Sequence, residues 1–233
     1  MFPIDDDDVR GASAPIVTWV LIGVNVLAFL YELSLSSAQL EQLFVTYGVV
    51  PTQILDGDNL ISLLTSMFLH GGWFHIFGNM LFLLVFGDNI EAVLGKVLYP
   101  LFYLGGGIVG SIVHVAVGAG SNIPSIGASG AVAAVLGAYI VMFPRSRIRV
   151  LIVLGFFPWV TRVAALIFVG VWFLMQFLNG VASLGPATAQ TGGVAYWAHV
   201  GGFVAGVLVG FIGRSRVPED FARRRRSEEI GRY

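Results

Sequence analysis

The sequence predicts an all-α membrane protein, a bundle of six transmembrane helices. Composition is the first reason: 56% of the 233 residues are hydrophobic and only 12% are charged, far from the balance of a soluble domain. Span length is the second, because six apolar stretches, at about 15–34, 74–94, 98–118, 127–143, 163–182 and 195–213, approach what roughly 30 Å of hydrocarbon requires. The third is the one-sided placement of the cationic residues.

Taken in order, residues 1–14 form a tail, "MFPIDDDDVRGASA", whose Asp5 to Asp8 run reads as solvated. It lacks the basic start and cleavage site of a signal peptide, so the first span is expected to be retained. Residues 35–73 form a long first loop. The apolar segment at 150–160 is too short to cross, is interrupted by Gly155 and Pro158, and reads as an interfacial loop. Residues 214–233 form a basic tail, whose Arg223 to Arg226 run suits anionic lipid headgroups. The six spans at 15–213 constitute one domain. There is no cysteine, which excludes disulfides, thiolate catalysis and thiolate-bound metals.

All thirteen Lys and Arg residues fall on one side of this arrangement. Arg10 precedes the first span, Lys96 separates the second and third, Arg145, Arg147, Arg149 and Arg162 separate the fourth and fifth, and Arg214, Arg216, Arg223 to Arg226 and Arg232 follow the sixth. The loops at 35–73, 119–126 and 183–194 contain none. Cationic loops stay in the cytoplasm, so both termini are expected there. Spans two, four and six then enter from the outer side, which places His75 and Asn79, Ser129, and His199 at one depth.

Small residues let helices approach closely in lipid. Ser129, Ala133 and Gly137 recur every fourth residue on the fourth span, and on the sixth His199 is followed by Gly202, Gly206 and Gly210 along one face. If these stripes face each other, a hydroxyl meets an imidazole, the pairing of a nucleophile with its base. Gly201, turned about 100° from that face, is expected to be freer. His75 and Asn79 stand one turn apart and offer N–H donors suited to an oxyanion. The backbone N–H of Ser129, at a helix start, is a further donor. Asp88 and Glu91 lie turns deeper than Asn79, which leaves a Ser–His dyad.

"HGGWFHIFGN" around His75 and Asn79, "GASG" around Ser129, and "AHVGGFVAG" around His199 resemble the signature motifs of the rhomboid family of intramembrane serine proteases. The resemblance covers residues 15–213 and implies a bacterial-type rhomboid bundle in the cell membrane. It implies cleavage of transmembrane segments of other proteins near their outer end. Ser129 would be the nucleophile, His199 the general base and then acid, and His75, Asn79 and the Ser129 N–H the oxyanion donors. Gly127 belongs to the loop before the nucleophile and joins Ala133, Gly137, Gly202, Gly206 and Gly210 as a packing position. Residues 35–60 correspond to the family's membrane-embedded first loop, and Glu91 in "FGDNIEAVLG" to a structural glutamate. Two positions depart from the pattern. Ala133 stands where a tyrosine often stacks on the histidine, leaving Tyr196 or Trp197 to pack there, and Ile61 and Ser62 replace a Trp-Arg pair.

The expected partners are transmembrane substrates and the bilayer, with no nucleic acid, metal or cofactor. Blander readings exist for the same residues. A serine in a Gly-Ala helix can bond back to a carbonyl, His70 and His114 read as structural, with His70 bracing the first loop, and outer-side histidines can line a transport path. A rhomboid-like scaffold that binds clients without cutting them is the nearest alternative.

Overall fold

The computed structural model describes residues 2–7, 13–155, 157–184 and 194–217. Helix α1 (Ile16–Leu33) is followed by α2 (Ser37–Tyr47), α3 (Pro51–Leu55) and α4 (Ser62–Thr65), so the first loop is itself helical. Helix α2 begins with a capping box in which the Ser36 N–H donates to Gln39 Oε1 at 3.0 Å. Helix α5 (Trp73–Val117) is two spans in one element. It breaks at Gly95, whose φ of 76° is left-handed, and glycine adopts that conformation without steric cost. Helices α6 (Ser129–Met142), α7 (Ala165–Ala182) and α8 (Tyr196–Gly213) complete six rods among the described residues, of which α6 is the shortest.

Helix α6 is the centre of the bundle, with every residue from Gly130 to Tyr139 buried. Its 14 residues rise only about 21 Å, less than a bilayer core. The chain must therefore reach Ser129 through irregular backbone whose polar groups are paired within the protein. The Gly127 N–H donates to Ser66 O at 2.8 Å, and Val49 and Ser125 exchange bonds at 2.9 and 2.8 Å.

Close backbone approach assembles the core. Gly202 of α8 lies against the Gly130 carbonyl, Gly206 against the Ala134 carbonyl, and Gly210 against Ala138. The α6 stripe that meets α8 is therefore Gly130, Ala134 and Ala138, one residue along from the Ser129, Ala133, Gly137 stripe expected from spacing. Gly137 still touches α8, at the Phe203 carbonyl. Gly201 is not free: a Cβ there would lie 2.7 Å from Val113 and 3.2 Å from Gly110 on α5. Helix α8 is wedged between α6 and the second half of α5, so both of its glycine faces are occupied.

A three-stranded antiparallel sheet replaces the expected interfacial loop. Its order is β1 (Phe2–Asp5), β2 (Arg147–Leu154), β3 (Phe157–Ala164). In β2, Arg147 and Arg149 alternate with fully buried Ile148 and Val150, the period of a half-buried strand. Gly155, with φ of 61°, sits in the turn, and Pro158 is accommodated because β3 is an edge strand.

The aspartate run is also docked, which corrects its reading as a solvated tail. Asp5 pairs with Arg149 at 2.8 Å. Asp6 accepts from the Tyr139 hydroxyl and from Asn89 Nδ2, and Asp7 from the Arg147 N–H at 2.8 Å. Strand β1 runs along α5, where Phe2 meets Phe77 edge to face. Asp8, Arg10, the Arg223 to Arg226 run and Arg232 lie outside the described residues.

Glu91 holds α1 to α5. Its carboxylate accepts from the backbone N–H groups of Val17 at 3.0 Å and Thr18 at 2.8 Å, and from the Thr18 hydroxyl at 2.8 Å. These N–H groups belong to the first turn of α1, where no intrahelical acceptor exists and negative charge is favoured.

Candidate active site

Ser129 is the first residue of α6 and is half-buried. A small cavity opens beside it, walled by Met67, Gly127, Ala195 and Ala198. The facing helix thus presents the turn that carries His199 to the serine. His199 is buried at 7% exposure. Among the described residues no direct hydrogen bond joins the two. The His199 ring is held from helix α7: its Nδ1 lies 2.8 Å from Gln176 Oε1, and Trp172 tilts over it at 33° with centroids 5.9 Å apart.

Tyr196 meets the His199 ring edge-on at 6.4 Å. Trp197 turns away, donating from Nε1 to the Gly180 carbonyl at 3.1 Å and packing on Phe177. The chief ring covering His199 is therefore Trp172, from a helix that spacing around the histidine did not implicate. Ala133, fully buried, leaves no room for a ring of its own.

His75 and Asn79 gather around Gly127. A Cβ at Gly127 would lie 2.5 Å from His75 Nε2 and 3.7 Å from Asn79 Nδ2, and the φ of 121° disfavours any side chain there. Gly127 is thus a platform in the loop for His75, not a helix-packing position. The Gly71 N–H donates to His75 Nδ1 at 3.3 Å, so the ring proton sits on Nε2, the nitrogen against the loop.

Asn79 is not free to follow His75: its Nδ2 lies 3.0 Å from His70 Nε2. His70 in turn donates its backbone N–H to the Glu32 carboxyl at 3.1 and 3.3 Å. It does brace the loop, through α1. Burial, with the neighbouring His75 as the second cause, lowers the pKa of His70 from 6.5 to about 4. Its ring is accordingly neutral at physiological pH, as a hydrogen bond accepted from Asn79 requires. His114 stands at the end of α5, where its carbonyl accepts the Gly118 N–H at 2.9 Å.

Glu32, Gln176 and Trp172 escaped the reading of motifs. The first two carried a signal nonetheless, since each is a polar residue in a predominantly apolar span, and such residues are costly unless they have a partner.

Residues 57–216 match the Rhomboid domain. The chain is 29% identical over 223 residues to Rhomboid protein 1, mitochondrial, of Saccharomyces cerevisiae, covering 93% of this chain and 58% of that one. It is 34% identical over 165 residues to RHOMBOID-like protein 4 of Arabidopsis thaliana, covering 71% and 37%. It is 30% identical over 197 residues to Rhomboid protease GluP of Bacillus subtilis, covering 84% and 35%. The chain thus spans between about a third and three fifths of the length of these relatives. With the domain match covering more than half of the chain and the helical bundle described above, this protein belongs to the rhomboid family.

Proposed function

We propose that this chain is an intramembrane serine endopeptidase that cuts transmembrane segments of other membrane proteins near their outer end. The observation that carries the reading is the contact between Gly202 and the Gly130 carbonyl, which brings the first turns of α6 and α8 together around the cavity at Ser129. Ser129 Oγ attacks the scissile carbonyl carbon while His199 takes the hydroxyl proton. The oxyanion is held by the Ser129 N–H, His75 Nε2–H and the Asn79 amide. As the intermediate collapses, His199 gives its proton to the leaving amine, and water then releases the acyl group from Ser129. The one-sided Lys and Arg residues support a cell-membrane protein with both termini in the cytoplasm.

A scaffold that binds transmembrane clients without cutting them is the second reading, favoured by the missing Ser129–His199 hydrogen bond. It ranks behind because catalytic hydrogen bonds in substrate-free sites are often long and tighten when substrate binds.

A fluorophosphonate probe decides between them. Wild type is expected to be labelled at Ser129 and to cleave a transmembrane substrate, while Ser129→Ala and His199→Ala each lose cleavage at normal membrane expression. Residual cleavage in Ser129→Ala overturns the nucleophile, and a wild type that binds clients without labelling or cleavage establishes the scaffold.

A further inference from the structure

Helix α7 presents Trp172, Gln176 and Gly180 at four-residue spacing, one face of a helix, and each of the three meets α8. Trp172 covers the His199 ring, Gln176 reaches its Nδ1 at 2.8 Å, and the Gly180 carbonyl anchors Trp197. We propose that Gln176 is a positioning residue for catalysis: its side-chain carbonyl accepts the proton of His199 Nδ1 and so holds the imidazole in the tautomer whose Nε2 lone pair serves Ser129. The inference rests on the serine-protease reading of the site.

The chemistry follows from the acceptor. A carbonyl oxygen has no proton to give, so the hydrogen in the short contact belongs to Nδ1. A neutral imidazole carries one N–H, which leaves Nε2 as the basic nitrogen. In serine proteases a carboxylate normally orients the histidine from this side. Among the described residues the buried carboxylates are committed elsewhere, Glu32 to the His70 N–H and Glu91 to α1. An amide performs the orienting part of that work without placing a charge in the membrane, where an unpaired one is costly. Trp172 restrains the ring plane while Gln176 restrains its rotation in that plane.

The test compares wild type, Gln176→Leu and Gln176→Glu as purified full-length protein in detergent, read by kcat, KM and the rate of fluorophosphonate labelling at Ser129. Gln176→Leu keeps most of the side-chain volume but removes the acceptor. It is expected to lower kcat on the order of 100-fold, the size of effect that misplacing a catalytic group produces. KM should stay within about twofold and labelling should slow in parallel with kcat, because only the chemical step needs the basic Nε2. Gln176→Glu keeps an acceptor and has no donor when ionised, so it should recover at least a tenth of the wild-type labelling rate.

Wild-type labelling in Gln176→Leu overturns the inference. So does a Gln176→Glu variant that is folded yet as slow as the leucine variant, since that pattern requires the amide N–H. Should the leucine variant fail to fold, Gln176→Asn, whose amide is drawn back by one methylene, makes the same decision: slow labelling supports the inference and wild-type labelling overturns it. A wild type that is not labelled at all overturns the serine reading and this inference with it.

Discussion

Gly127 has no side chain because His75 occupies the space one would need. The positive φ and the 2.5 Å approach to Nε2 together predict that Gly127→Ala displaces the ring from the loop. If His75 donates to the oxyanion, turnover should fall by about 10 to 1000-fold, as removal of such donors does, with KM little changed. An unaltered kcat would remove His75 from that role. His70 makes a different prediction. Its pKa of about 4 lies below the 6.5 of an unperturbed imidazole, so between those values the unfolded chain binds more protons than the folded one. Stability at this residue is therefore full above pH 6.5 and falls as the pH drops toward 4. Thermal melting in detergent from pH 7.5 to pH 4.5 should show the Tm of wild type falling relative to that of His70→Gln, a comparison that cancels what the neighbouring Glu32 carboxyl contributes to both. A variant as pH-sensitive as wild type would assign the effect to other groups.

At the scale of elements, the α6–α8 seam is backbone against backbone. Gly202 and Gly206 abut carbonyls of α6 so closely that any Cβ collides, and a Cβ at Gly201 would meet the Val113 side chain at 2.7 Å. Gly202→Val and Gly201→Val are therefore both expected to lower activity about 100-fold through displacement at the site and to reduce Tm. Gly170 on α7 has nothing within 4 Å of its Cβ position, so Gly170→Val should behave like wild type. If Gly201→Val is as mild as Gly170→Val while Gly202→Val is not, α8 is not held between two partners. The spacing of glycines along α8 announced one packed face. A second face could not be deduced, because Gly201 and Val113 are neighbours only through the path of α5 after its break at Gly95.

At the scale of the whole molecule, the described arginines of the hairpin sit near its base, where Arg149 opposes Arg162 and Arg147 opposes Ala164, while the turn end carries exposed Val153, Phe157 and Trp159. Cations therefore gather at the end of the bundle away from Ser129. The proposed orientation can be read cleanly because the chain has no native cysteine. A membrane-impermeant maleimide applied to intact cells should label Ser36→Cys, in the first loop, and spare Ser215→Cys after α8 until the membrane is opened. The reverse pattern would invert the topology and move the proposed cleavage to the cytoplasmic face.

The number of spans, their limits to within a few residues and the level shared by His75, Asn79, Ser129 and His199 follow from the sequence alone. Hydrocarbon thickness and the cost of bare polar groups in lipid act on each segment separately, and local pattern suffices to express them. The alternation in β2 was equally local, but Gly155 and Pro158 read as a broken loop until the pairing of β1, β2 and β3 made them a turn and an edge. Other features had no local expression. The one-residue shift of the α6 stripe, the docking of Asp5 and Asp7 on a hairpin more than a hundred residues away and of Asp6 on Tyr139 of α6, and the approach of Gln176 and Trp172 to His199 depend on how rigid helices rotate against one another. A rotation of one residue changes which side chain faces the neighbour, and only the packed bundle settles that angle.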